Sequence, residues 1–311
     1  MNTRCRRRNR WGLASLAACL VAGGLSAQPP KAPAGIAFAA DVPLVESDGL
    51  PCVNAVIGDG PELLFGIDTG NVNNALDTRV AKSAGLAVSA IPPPTPAGYF
   101  RAVFPALRIG AVTLEGPHAL VFDFAANQMP TKIAGTLAYT AFKDRVVQID
   151  FAAGRVRISA VLGAPAAMPA PSDRFSLVTF GRAGPPIVVA RGFEINGRAV
   201  TAQVDTMYTG SLLIYTDSVA RLGLGDLAAN GKPEFFALTD GGVNMRAAAA
   251  RSESFHGIPL GGIHPKVYFP TPGVHEPDGL FDATVGVALL QDAVLTLDFR
   301  DGMISVSRPG A

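Results

Sequence analysis

Two aspartates, Asp68 and Asp205, each stand at the end of a short apolar run and are each followed by threonine. The stretches are FGIDTGNVNNAL, Phe65 to Leu76, and QVDTMYTGSLLIY, Gln203 to Tyr215. Two carboxyl groups held within a few ångströms of each other cannot both ionise easily, so such a pair holds one proton between them. The ionised member takes a proton from water, and the protonated member donates to a carbonyl oxygen. One Asp-Thr-Gly alone would mean little, because these residues also make ordinary turns. The meaning of the two sites comes from where they fall in the chain.

They fall at the same point of a repeated unit. Each half has an apolar strand, a turn and a second strand ending in Asp-Thr: LPCVNAVIGDGPELLFGIDTG (50–70) and PIVVARGFEINGRAVTAQVDT (186–206). Gly58-Asp59-Gly60 and Asn196-Gly197 are hairpin signals between alternating apolar residues. A short helical segment follows in each half, DTRVAKSAGL from Asp77 and TDSVARLGL from Thr216. Asp77 or Thr78, and Thr216 or Asp217, suit the N-caps, and Gly85 and Gly223 suit the ends. Thr136-Leu137-Ala138 and Thr284-Val285-Gly286 then lead, after the same spacing, to Asp150-Phe and Asp298-Phe and a closing strand. Agreement at so many positions points to duplication. The stretch GAPAAMPAPS, Gly163 to Ser172, reads as the linker between halves.

On these residues the chain resembles the pepsin-like and retropepsin-like aspartic proteases, in a two-lobed, exported bacterial form. FGIDTGNVNNAL matches the family's catalytic loop in full, and QVDTMYTGSLLIY matches it except that Met207 stands where the family has glycine. The resemblance spans roughly residues 50–306. It implies a mostly β protein of two similar β-barrel-like lobes with a few short helices and an active cleft between them. The lobes would be 28–165 and 176–311, joined by a linker at 166–175. It implies an aspartic-type endopeptidase with Asp68 and Asp205 as the catalytic pair, acting on an extended peptide or protein substrate. Thr69 and Thr206 would hydrogen-bond across to the opposite loop and set the carboxylates face to face. Gly70 and Met207 would complete the loops, and a methionine at a position needing positive φ would be strained by about 1–2 kcal/mol. The other reading is a peptide-binding or surface module with the same fold, its second loop impaired at Met207. The segments Gly98-Tyr99-Phe100 and Val243 to Ala250 are candidates for a hairpin closing over substrate.

Composition agrees with a folded, turn-rich β protein: 49% apolar and 16% charged residues, with 34 glycines and 25 prolines. The start, MNTRCRRRNR, has five arginines and no acid and precedes the uncharged run Trp11 to Ala27. That is the pattern of an export signal cleaved after Ala27. An uncleaved anchor is one alternative. A lipobox at Leu16-Ala17-Ala18-Cys19 is another, with Cys19 lipidated and the chain held at a membrane. The expected location is therefore the bacterial periplasm or the exterior, as a monomer. Losing the five arginines takes the formal charge from +1 to −4, so no nucleic acid partner is expected. Only Cys52 of the three cysteines then remains, which excludes an internal disulfide; in an alternating strand it reads as a buried thiol. Asp150 and Asp298 read as turn caps, and Asn71, Asn73 and Asn74 as turn residues beside the first loop. His118, His256, His264 and His275 lack metal-ligand spacing, so no metal and no cofactor is expected.

Overall fold

The computed structural model describes residues 35–92, 98–161, 166–179, 186–236, 243–262, 265–271, 273–274 and 279–309. The proposed export segment with Cys19, and His264 and His275, lie outside them. The first half supplies β1 (Phe38–Pro43), β2 (Val45–Ser47), β3 (Leu50–Ile57), β4 (Glu62–Ile67), β5 (Asn74–Asp77) and helix α1 (Thr78–Ser83). It continues through β6 (Val88–Ala90), β7 (Phe100–Val103), β8 (Ala106–Ile109), β9 (Val112–Glu115), β10 (His118–Phe122) and β11 (Gly135–Leu137). One helical turn, α2 (Tyr139–Phe142), leads into β12 (Val146–Asp150) and β13 (Arg155–Ser159).

The second half follows with β14 (Ser172–Thr179), β15 (Pro186–Ile195), β16 (Arg198–Val204), β17 (Leu212–Ile214), α3 (Thr216–Arg221) and α4 (Gly225–Asn230). Next come β18 (Lys232–Phe236), β19 (Val243–Ala249), β20 (Glu253–Phe255), β21 (Ile258–Pro259), β22 (Lys266–Pro270) and β23 (Ala283–Val285). The chain closes with α5 (Val287–Leu290), β24 (Val294–Asp298) and β25 (Met303–Ser307). The protein is mostly β, as its composition and turn signals lead one to expect.

One sheet runs β6, β7, β10, β5, β11, β4, β3, β8, β9. The other contains the run β18, β19, β22, β17, β23, β16, β15, with β20 on β15 and β21 on β20. Neighbour by neighbour, the two orders correspond and pair in the same sense. At the heart of each, one strand is parallel to the strand that ends in Asp-Thr and antiparallel to the strand that follows it: β11 with β4 and β5, and β23 with β16 and β17. The Asn196-Gly197 hairpin forms with φ of 49° and 76°, as a two-residue turn with both residues left-handed requires.

β2 pairs with β3, and the run β1, β13, β12, β24, β25, β14 continues the second sheet from β15 and joins the halves. β12 and β24 pair antiparallel, Val147 opposite Leu297 and Gln148 opposite Thr296, and both strands are buried throughout. Their polar members are matched: the Gln148 amide donates to Thr296 Oγ1 at 3.0 Å. Asp150 and Asp298 cap the turns that follow, accepting the N–H of Ala153 and those of Arg300 and Asp301. Phe299, next in the chain, is ringed by Tyr139, Phe142 and Phe175 at centroid distances of 5.8, 6.1 and 6.0 Å.

Two expectations need correction. The stretch 166–175 is not linker throughout, because from Ser172 it is strand, paired to β25 through Ser172, Asp173 and Arg174. Its small residues mark the approach to an edge, and backbone pairing takes over where alternation resumes. In α3 the N-cap is Tyr215, without a side-chain cap bond, and Thr216 is already helical. In the first half Asp77 does cap α1, accepting the Arg79 N–H. No helix among the described residues is long and apolar enough to cross a membrane.

Phe299→Ala removes the ring that three aromatics share, and is expected to cost about 3–5 kcal/mol of unfolding free energy. Urea unfolding followed by fluorescence or circular dichroism measures this directly.

Candidate active site

Asp68 and Asp205 come just after β4 and β16. Each is tied to the parallel strand beside it: the Asp68 N–H donates to Leu137 O at 2.8 Å, and the Asp205 N–H to Val285 O at 2.9 Å. The Asp-Thr dipeptides therefore leave their strands at fixed points. The strands alone do not make them meet. That is done by the threonines.

Thr69 Oγ1 donates to Val204 O at 2.8 Å, and Thr206 Oγ1 donates to Ile67 O at 2.5 Å. In return each hydroxyl accepts the other threonine's N–H, both at 3.1 Å. The two hydroxyl oxygens lie 3.3 Å apart, but each has a single proton and spends it on the carbonyl, so that approach is a contact, not a further bond. Both side chains are buried. The exchange is reciprocal and joins residues 137 positions apart in sequence. The expectation that the threonines bond across to the opposite loop agrees with these contacts.

The loops bring the carboxyl groups against one another's backbone. A Cβ on Gly70 would overlap the Asp205 carboxyl group, so Gly70 is there for space. Neither Gly70 nor Met207 has positive φ. The strain expected of a methionine at 207 is thus absent, and its N–H still donates to Asp205 Oδ1 at 2.8 Å. Asp68 is buried and Asp205 half-buried. Loss of water, then the nearby Asp205 charge, pushes the Asp68 carboxyl well above the usual carboxylate range, against the N–H groups of Gly70 and Asn71. Asp205 is raised as well, chiefly by loss of water, and is drawn back by the N–H groups of Met207 and Tyr208. The arrangement can hold a proton on one carboxyl beside an ionised partner at pH values where ordinary carboxylates have all lost theirs.

The neighbouring residues sort themselves out. Asn71 Oδ1 accepts the N–H of Val72 and Asn73 in a local turn, and Asn73 is exposed. Asn74 is a brace: fully buried, it donates to His118 O and accepts the Ala138 N–H, both at 2.8 Å. Its counterpart six residues after Asp205 is Ser211, which donates to Glu253 Oε2 at 3.4 Å. Burial pushes Glu253 up to about 8, which keeps it neutral beneath the second loop below that pH. Cys52 is buried and its thiol is pushed up to about 12, mainly by burial, so it is an inert packing group. His118 lies exposed in β10, away from any metal-like cluster, and His256 sits 3.6 Å from Asp173. Among the described residues no three His, Cys, Asp or Glu are grouped to hold a metal. Tyr99 packs on Phe122 at 5.0 Å, just ahead of β7, while 243–249 forms β19; β7 and β19 each lie one strand in from the end of their run, beside β6 and β18.

Gln203 and Gly66 were not singled out by the sequence. The signal was available: both stand two residues before the aspartate in their own copy of the repeat. Gln203 Nε2 donates to Gly70 O at 3.3 Å, and Thr284 Oγ1 donates to Gln203 Oε1 at 3.4 Å.

No family model and no curated protein matches the chain. Among solved structures, one described as "Crystal structure of edgp" is similar over 89% of this chain and 96% of its own, with 11% identity and a TM-score of 0.49. Likeness at that level says nothing about the chemistry.

Two outcomes follow from the geometry. Thr69→Val leaves Val204 O and the Thr206 N–H buried without partners and is expected to destabilise by about 1–3 kcal/mol for each group; Thr69→Ser, which keeps the hydroxyl, is expected to cost much less. Chemical denaturation of both variants checks this. Asp68→Asn is expected to raise the melting temperature at neutral pH. The raised pKa of Asp68 means its contribution to stability is full below the unfolded value and is lost as pH rises through the folded value. The advantage of asparagine should shrink to nothing as pH falls below 4, which melting curves at several pH values would reveal.

Proposed function

We propose that this chain is an aspartic-type endopeptidase that hydrolyses peptide bonds with a water activated between Asp68 and Asp205. The observation that carries the reading is the reciprocal threonine exchange, which sets two proton-retaining aspartates against each other across the two halves. The corresponding strand orders of the halves support an origin by duplication and a two-lobed, pepsin-like or retropepsin-like organisation. Met207 counts less against activity than its letter suggests, since its backbone is unstrained and its N–H supports Asp205.

In this reading one aspartate is ionised and takes a proton from water, and the resulting hydroxide attacks the peptide carbonyl. The other donates its proton to the carbonyl oxygen, stabilising the tetrahedral intermediate. A proton delivered to the leaving amine completes the cleavage. The pair shares one proton, so one member is the proton carrier and the other the base, and the titration belongs to the two together. Substrate binds extended, by strand-like backbone hydrogen bonds, and export to the periplasm or exterior suits such an activity. The alternative, a binding module without turnover, keeps the same contacts and predicts peptide affinity with no cleavage.

Cleavage of an unfolded protein, followed by mass spectrometry, is expected in the wild type and to fall by about 10²–10⁴-fold in both Asp68→Asn and Asp205→Asn. Activity should be bell-shaped with pH. It fails on the acid side when the pair gains a second proton and on the alkaline side when it loses the last, the alkaline limb lying well above the usual carboxylate range. A wild type that binds peptides without cutting them would favour the binding module. Full activity in Asp205→Asn would remove Asp205 from the mechanism.

A further inference from the structure

The two loops exchange bulk as well as hydrogen bonds. The first has glycine two residues before and two residues after its aspartate, Gly66 and Gly70; the second has Gln203 and Met207 at the same places. Each long side chain of the second loop goes to a glycine of the first. Gln203 reaches the Gly70 carbonyl. The Met207 side chain crosses to β4, where a Cβ on Gly66 would stand 2.9 Å from its sulfur and 3.4 Å from its methyl carbon. There it packs on the buried cluster of Cys52, Ala75, Phe124 and Ile133, which belongs wholly to the first half. Met207 is therefore anchored at both ends: its N–H on the Asp205 carboxylate of its own loop, its thioether on the backbone of the opposite half.

A glycine at this place, like Gly70 whose N–H faces Asp68, has no side chain to fix it, and glycine has the widest choice of backbone angles. A methionine seated over Gly66 removes that choice without needing positive φ. We propose that Met207 is a positioning residue, whose side chain, seated over Gly66, holds the 207 N–H on Asp205 and so favours the charged form of that carboxyl. This rests on the catalytic reading of Asp68 and Asp205, and goes beyond it in making the departure from glycine a working part of the site. Asp205 faces few ionisable groups: Asp68 from the opposite loop and Tyr208 from its own, the latter kept neutral by burial.

The test is a carbon-13 NMR titration of aspartate carboxyls, which needs no turnover, on the wild type, Met207→Gly, Met207→Leu and Gly66→Val. In Met207→Gly the Asp205 titration is expected to move to higher pH, because losing an N–H donor favours the protonated form. Met207→Leu, which keeps an apolar anchor, should return it close to the wild-type position. Gly66→Val leaves the loop sequence intact and evicts the side chain from the other side, so it should reproduce the glycine variant's shift. It decides the matter if Met207→Gly does not fold. In peptidase assays Met207→Gly should lose about 10-fold in kcat, with KM little changed and the acid limb moved upward in step with the titration. An Asp205 titration unmoved in Met207→Gly and Gly66→Val, or a faster Met207→Gly enzyme, overturns the proposal. A wild type without peptidase activity would instead overturn the catalytic reading, and the titration would still decide whether Met207 positions the amide.

Discussion

Everything at the centre of this molecule depends on two buried hydroxyls trading hydrogen bonds across the chain's two halves. Thr69 and Thr206 each satisfy one carbonyl and one N–H of the opposite loop. A buried backbone group without a partner costs about 1–3 kcal/mol, so neither loop is complete without the other. Valine would fill the space and fail the accounting, because it can neither donate nor accept. The sheet joint at β12 and β24 brings the halves together along two buried strands, but it fixes no carboxylate of the pair. The threonine exchange does that, since the aspartates are the adjacent residues.

The exchange also explains how two acidic groups are tolerated in a poorly hydrated place. Burying a carboxylate is costly, and the usual escape is to stay protonated. Here the site provides both outcomes side by side. Backbone N–H groups face each carboxyl and favour its charge, while burial and the neighbouring acid oppose it. The repulsion is mutual, and Asp68 is the more deeply buried of the two. Two carboxyls that share one proton meet the condition for one to act as acid while the other acts as base. The close approach that makes this possible needs Gly70, whose missing side chain leaves room for Asp205.

Much of this was legible in the sequence, for reasons that are local or periodic. The hairpins at Gly58–Gly60 and Asn196-Gly197, the cap at Asp77 and the alternating strands are properties of short stretches. The repeat placed Asp68 and Asp205 at matching points, and the matching strand orders fit that reading. What could not be read was set by residues far apart. The Thr216 cap failed because the chain turns one residue earlier, at Tyr215, whose ring packs edge-on to Phe281 at 5.3 Å. The end of the linker turned to strand because β25, more than a hundred residues later, offers it an edge. Asn74, which looks like one more turn residue among three, is a buried brace only because His118 and Ala138 come to it.

Met207 is the clearest case of a residue misjudged when taken alone. Set beside Gly70 at the matching place in the first half, it is a methionine where a glycine is expected, and that in a tight loop suggests strain. The comparison leaves out the residue that it touches. Gly66 is the counterpart of Gln203, so the first half lacks a side chain where the second half's methionine needs room, and the second half has a long side chain where the first half's Gly70 presents a carbonyl. Neither substitution makes sense without the other, and both make sense as a pair of contacts across the halves. The two loops fit one another through these paired differences. They act at the backbone of the two aspartates, where changing one side alone would leave unfilled space or overlapping atoms.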